Sequence, residues 1–181
     1  MDNLTAEQRH INMSAIRSCD TKPEMLVRKY LHSQGFRYGL HNHKLPGSPD
    51  IVLRKYKTVI FINGCFWHGH EGCKYYRLPK SNIEFWQTKI ERNRQRDIET
   101  IEAHKAKSWR VITIWECELR NIAQRSETLI QLVKDIKGDL KSVDYTQEGQ
   151  INIAAEPEAE YGRDSGNIWK QLYQLEDYDN W

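Results

Sequence analysis

Pro49-Asp50-Ile51-Val52-Leu53-Arg54-Lys55-Tyr56-Lys57-Thr58-Val59-Ile60-Phe61-Ile62-Asn63 is the stretch on which the fold turns. Two apolar or β-branched runs, Pro49 to Leu53 and Thr58 to Ile62, flank a polar Arg-Lys-Tyr-Lys turn, a pattern that predicts a β-hairpin. A third short run, Phe36 to Leu40, lies ahead of the hairpin beyond a Pro-Gly turn and predicts another strand.

Outward from these strands the periodicity becomes helical. Thr21-Lys22-Pro23-Glu24 offers a capping threonine and a first-turn proline, and Leu26, Tyr30 and Leu31 continue one apolar stripe, so a helix is predicted up to Gly35. A shorter helix is expected around Ile11 to Arg17. On the other side, Ser81-Asn82-Ile83-Glu84 has the form of a capping box, and Phe85 to Lys107 contains neither Gly nor Pro, which predicts a long helix to about Lys105. Trp109 to Trp115 reads as a buried strand and Glu118 to Lys137 as a closing helix stopped by Gly138. The resulting order, α-β-β-β-α-β-α, places the chain in the α/β class.

The formal net charge of +2 conceals an uneven distribution: residues 1–138 carry 24 basic and 15 acidic side chains, whereas 139–181 carry 3 and 10. We therefore divide the chain into a basic domain, 1–138, and an acidic tail, 139–181, in which Ile168, Trp169, Leu172, Tyr173 and Leu175 predict one short helix. A basic body predicts a polyanionic partner, because Lys and Arg release counterions from phosphates on binding. No apolar run approaches the roughly 20 residues that span a bilayer, and the N-terminus lacks a basic start and apolar stretch, so a cytoplasmic protein with no membrane partner is expected. In that reducing compartment four cysteines serve as thiols or metal ligands rather than disulfides. Neither a Walker loop nor a dinucleotide glycine pattern occurs, which argues against nucleotide-driven and nicotinamide chemistry.

Gly64-Cys65-Phe66-Trp67-His68-Gly69-His70-Glu71-Gly72-Cys73 concentrates soft or borderline ligands within one glycine-rich loop. A closed structural zinc site needs four, and Cys117, at the end of a predicted strand, completes the set Cys65, His70, Cys73 and Cys117. The spacing departs from the usual finger patterns. Two alternatives stay open: Cys65 and Cys117 as small core residues, or His68 in place of His70 as the ligand. Cys19 reads as an ordinary free residue.

Asp50 stands at the entrance of an apolar strand, and the hairpin brings the far end of its partner strand, with its carbonyls, close to that carboxylate; a hard cation such as Mg²⁺ suits the combination. An ordinary turn acid would look the same. Glu24 follows Thr21 by three residues, where capping alone explains it. His68 is offset from its neighbouring candidate ligands, which leaves its imidazole free for acid or base work near neutral pH.

Asn12-Met13-Ser14-Ala15-Ile16, Leu45-Pro46-Gly47-Ser48-Pro49-Asp50, Val59 to His70, Glu84-Phe85-Trp86 and Trp109 to Cys117 together closely resemble the very-short-patch repair endonucleases, the Vsr family. The resemblance runs from about Arg9 to about Gly138. It implies a restriction-endonuclease-like core with a central mixed sheet flanked by helices, and an enzyme that nicks double-stranded DNA 5′ of the thymine in T:G mismatches left by deamination of 5-methylcytosine. It implies further that Asp50 and the Ile62 carbonyl hold Mg²⁺, that His68 handles the proton of the attacking water, that Glu24 supports the metal's water shell, and that Cys65, His70, Cys73 and Cys117 hold a structural zinc. Phe66 and Trp67 would enter the mismatch as a rigid apolar wedge. Trp86, whose spacing from Ile83 and Ile90 otherwise reads as core packing, joins them by resemblance. Met13, equally a packing residue, would probe the minor groove. A monomer at the bacterial nucleoid, with other mismatch repair proteins as partners, is expected.

Two departures stand out: many members have His where this chain has Asn63, and Glu71-Gly72 lengthens the loop by one residue. Asn63 takes up no proton at neutral pH, so its part in catalysis is the doubtful one. Lys89, Arg92 and Arg96 share a helix face that could meet phosphates, although such faces are usually just solvated. Competing readings are a zinc-stapled DNA-binding module without catalysis and a same-fold endonuclease with another target.

Overall fold

The computed structural model describes residues 5, 7, 8, 11, 14, 17 and 19–138. The expected helix around residues 11–17, Met13 and the tail 139–181 fall wholly or mostly outside these residues.

Helix α1 (Lys22–Ser33) starts as anticipated: Thr21 is in the extended region, its Oγ1 accepts from the Glu24 amide, and a proline occupies the first turn. Its buried face is not the apolar stripe expected. Val27, Tyr30 and Leu31 are buried, but so are Glu24 and Arg28, which lie on the same side of the helix at i,i+3 and i,i+4 spacing. A helix that buries two charges points to a functional site.

Four strands, β1 (Gly39–Leu40), β2 (Ile51–Leu53), β3 (Thr58–Asn63) and β4 (Arg110–Trp115), form one mixed sheet in the order β1-β2-β3-β4. The β2/β3 hairpin is antiparallel with Ile51 opposite Ile60, and its turn is a 3-10 segment, Arg54–Tyr56, closed by Lys57 in the left-handed region. All three β2 residues and the first three of β3 are buried, as expected of strands covered on both faces, while Phe61 to Asn63 emerge partly toward solvent. Strand β4 runs parallel to β3, with Asn63 opposite Trp115. A parallel pair needs a crossover. Here it is the loop 64–82 followed by α2 (Ile83–Lys105), which also makes the principal helix contact with β4.

Three local expectations are corrected. Strand β1 is two residues rather than five; Phe36 is instead buried, its ring 5.3 Å from that of Tyr56. The Ser81 capping box does not form: α2 starts at Ile83 behind Asn82, which is left-handed and makes no side-chain cap bond. The closing helix is two helices, α3 (Glu116–Arg120) and α4 (Ile122–Lys137). Asn121 separates them in an extended conformation and its side chain accepts from the amides of Ala123 and Gln124. Among the described residues no helix is long and apolar enough to cross a membrane.

Candidate catalytic centre and thiol cluster

Asp50 immediately precedes β2, and the hairpin register carries it to the emergent end of β3, where the Ile62 amide donates to its Oδ2 at 2.8 Å. The loop leading into it is braced by α2: the fully buried His104 places Nε2 2.9 Å from the Pro46 carbonyl, and Gly47, at φ +68, lies so close to Thr100 that a Cβ would collide with it. Burial pushes the Asp50 carboxyl up to about 6; the Ile62 N–H opposes that, Glu24 adds to it by repulsion, and the Arg28 guanidinium pulls the other way. What Ile62 gives Asp50 here is its amide hydrogen bond.

Glu24, 4% exposed, is pinned at both oxygens: Oε1 accepts from Thr21 Oγ1 at 2.8 Å, and Oε2 from the Asp20 amide at 3.0 Å and Arg28 Nη2 at 2.8 Å. It therefore both completes the helix start and enters the charged centre; the choice between capping and site was never exclusive. His41, which no sequence signal singled out, joins the same group from the end of β1, its Nε2 2.6 Å from Arg28 Nη2. Asn63 closes β3.

His68 is not a free imidazole. Its Nδ1 lies 2.5 Å from Oδ2 of Asp97 on α2, an aspartate hidden in a charged helix 29 residues away. The same helix holds the two residues beside it: Asn93 Nδ2 donates to the Trp67 carbonyl at 2.8 Å, and Arg94 donates to the Gly69 carbonyl. Gly69, at φ +59, sits against the Arg94 guanidinium, and a Cβ there would strike it. One helix thus fixes three consecutive loop residues, 67 to 69.

Beyond them, ligand atoms of Cys65, His70, Cys73 and Cys117 all lie within 4.8 Å of one another. Cys117 Sγ is 3.5 Å from His70 Nδ1, and the His70 ring stacks on Trp115 at 4.0 Å with an interplanar angle of 6°. His70, not His68, is the imidazole that meets the thiols. Burial pushes the Cys65 thiol up to about 12, a cost that a soft cation taking the thiolate would relieve. The loop also carries an aromatic cluster. Phe66 lies 5.2 Å from both Trp67 and Trp86, Trp67 lies 6.0 Å from Trp86, and Phe85 adds a fourth ring, 61% exposed, 5.2 Å from Trp86. Trp86 therefore packs on the loop aromatics rather than in the main core.

Fold and sites define a mixed α/β protein with a carboxylate centre at one end of its hairpin, a His–Asp pair, and a Cys₃His cluster with the composition of a metal-ion site. The family model for DNA mismatch endonuclease Vsr matches residues 1–74. The chain is 49% identical over 136 residues to the type II nicking enzyme V.NmeAIP of Neisseria meningitidis serogroup A, covering 75% of this chain and 96% of that protein. It is 48% identical to the type II nicking enzyme V.XorIIP of Xanthomonas oryzae pv. oryzae, over 67% of this chain and 88% of the relative. It is 41% identical to the DNA mismatch endonuclease Vsr of Escherichia coli K12, over 60% and 69%. The chain belongs to the Vsr family.

Proposed function

We propose that this chain is a magnesium-dependent DNA endonuclease that nicks the strand 5′ of the thymine in T:G mismatches, with residues 1–138 forming a restriction-endonuclease-like domain stapled by zinc. The observation that carries the reading is the placement of Asp50: a half-buried carboxylate at the end of a hairpin, raised to about 6 by desolvation and further by repulsion from Glu24. Two carboxylates that repel each other in a partly desolvated site favour a bound cation, and oxygen donors suit Mg²⁺. Asp50, with the Ile62 carbonyl, is assigned to that ion, and Glu24 to its surroundings. When bound, the ion would supply positive charge to the phosphate as its negative charge builds.

The remaining chemistry falls to the chain's own side chains. His68, held through Nδ1 by Asp97, keeps Nε2 for the proton of the attacking water. Its orientation is set by the same helix that fixes Trp67 and Gly69, so proton handling and the aromatic wedge move as one piece. Phe66, Trp67 and Trp86 present rings to a base step, and a mispaired step resists opening less than a well-stacked one. Cys65, His70, Cys73 and Cys117 fit zinc as a Cys₃His donor set. Met13 is assigned to the minor groove. The relatives' names support nicking and mismatch cleavage. We place the protein, as a monomer, on bacterial chromosomal DNA alongside other mismatch repair proteins.

The test is incubation with a T:G duplex and a matched T:A duplex in Mg²⁺. A single nick 5′ of the mispaired thymine is expected, with Asp50→Ala lowering the rate by about a thousandfold or more. Equal cutting of both duplexes would point to another target, and tight mismatch binding without a nick would make Asn63 the mark of a binding module.

A further inference from the structure

Arg28 is 5% exposed, yet its guanidinium lies inside the carboxylate centre rather than at the surface. Nη1 donates to Asp20 Oδ1; Nη2 donates to Glu24 Oε2 at 2.8 Å and meets His41 Nε2 at 2.6 Å. The Tyr38 hydroxyl donates to the Arg28 backbone carbonyl at 2.8 Å, tying the helix to the β1 approach. Against these contacts stands a cost: the Arg28 Nε is buried without a hydrogen-bond partner. A buried charge with an orphaned donor is poor stability design, which points to a functional reason for keeping it.

His41 bears the second mark of such a reason. Its φ of +41° is in the left-handed region, uncommon for a residue with a Cβ, and its amide approaches the Asp50 carbonyl at 3.5 Å. A guanidinium has donors only, so a nitrogen 2.6 Å from it must offer a lone pair. The looser approaches of His41 Nε2 to Asp20, 3.7 Å, and Glu24, 3.9 Å, would need a proton on that nitrogen. The shorter contact decides, and the ring proton belongs on Nδ1.

We propose that Arg28 is the positioning residue of this centre, an internal cation that locks the Glu24 carboxylate in one orientation and fixes His41 in its Nδ1–H tautomer. Its kinetic consequence rests on the nuclease reading above, whereas the tautomer does not.

The test uses the full zinc-loaded chain. Long-range ¹H–¹⁵N spectra of the histidine rings, with His41 identified through His41→Gln, should show the Nδ1–H tautomer in the wild type and a mixture in Arg28→Met. Single-turnover nicking of the T:G duplex should fall on the order of tenfold to a hundredfold in Arg28→Met, with duplex affinity in the absence of divalent cation unchanged within about twofold. Should Arg28→Met fail to fold, Arg28→Lys keeps the charge but loses the fork, and is expected to fall by about tenfold. A wild-type His41 protonated on Nε2, or a folded Arg28 variant that nicks at full rate, overturns the proposal. If the wild type does not nick, the nuclease reading falls while the spectrum still decides the assignment.

Discussion

Asp50 carries an energetic tension that a single substitution exposes. Its carboxyl, ordinarily near 3.8, is raised to about 6 by burial. A raised folded-state value means the associated stability is present below about pH 4 and is lost as pH rises through 6, by about 2–3 kcal/mol in the magnesium-free protein. Asp50→Asn keeps an oxygen for the Ile62 N–H and abolishes the titration. Urea unfolding without magnesium should therefore find the variant about 2 kcal/mol more stable than the wild type at pH 7.5, with the gap closing toward pH 4.5. A gap of constant size would mean that Asp50 is not strained by its charge. At this scale the sequence was partly legible. Asp50 and Glu24 were visible from their positions beside a strand and a cap, but Arg28 and His41 were not singled out, because the contact between them spans 13 positions of chain.

At the scale of elements, the hairpin was readable because two buried runs around a polar turn can close only on each other. The α3–α4 break was not. Glu118 to Lys137 contains neither Gly nor Pro, so the helical pattern ran through Asn121, although asparagine is a strong N-cap. Its side chain accepts from two amides at 2.9 and 3.3 Å, and Asn121→Ala should cost about 1 kcal/mol, read as a lower urea midpoint with an unchanged slope. No measurable loss would mean that packing, not the cap, sets the break. Ser81-Asn82-Ile83-Glu84 is the opposite case, a local signal overridden: Asn82 adopts the left-handed region that asparagine tolerates, and α2 begins one residue later than the box required.

Over the whole molecule, the thiol cluster joins the loop after β3 to the first turn of α3, so a metal there would tie the two ends of the parallel strand pair together. Stripping zinc with a chelator at neutral pH should lower Tm by on the order of 10 °C. It should also change the emission of Trp115, which His70 covers at 4.0 Å, and zinc should restore both. An unchanged Tm and emission, with metal analysis confirming removal, would show that the cluster is no staple.

The amino-acid sequence alone determined the order of the main elements, the hairpin and the family, and it put forward Cys65, Cys73 and Cys117 with His70 or His68 as candidate ligands, since these depend on local spacing and on a few dense motifs. The tertiary structure decided what acts on them. Asp97, Asn93 and Arg94 reach residues 67 to 69 across 25 to 29 positions of chain, and Arg28 meets His41 across 13. Such meetings require α2 to cross back over the sheet between β3 and β4 and α1 to lie within reach of the segment around β1. Periodicity records which face of an element is buried, but not which side chains of another element it will meet there.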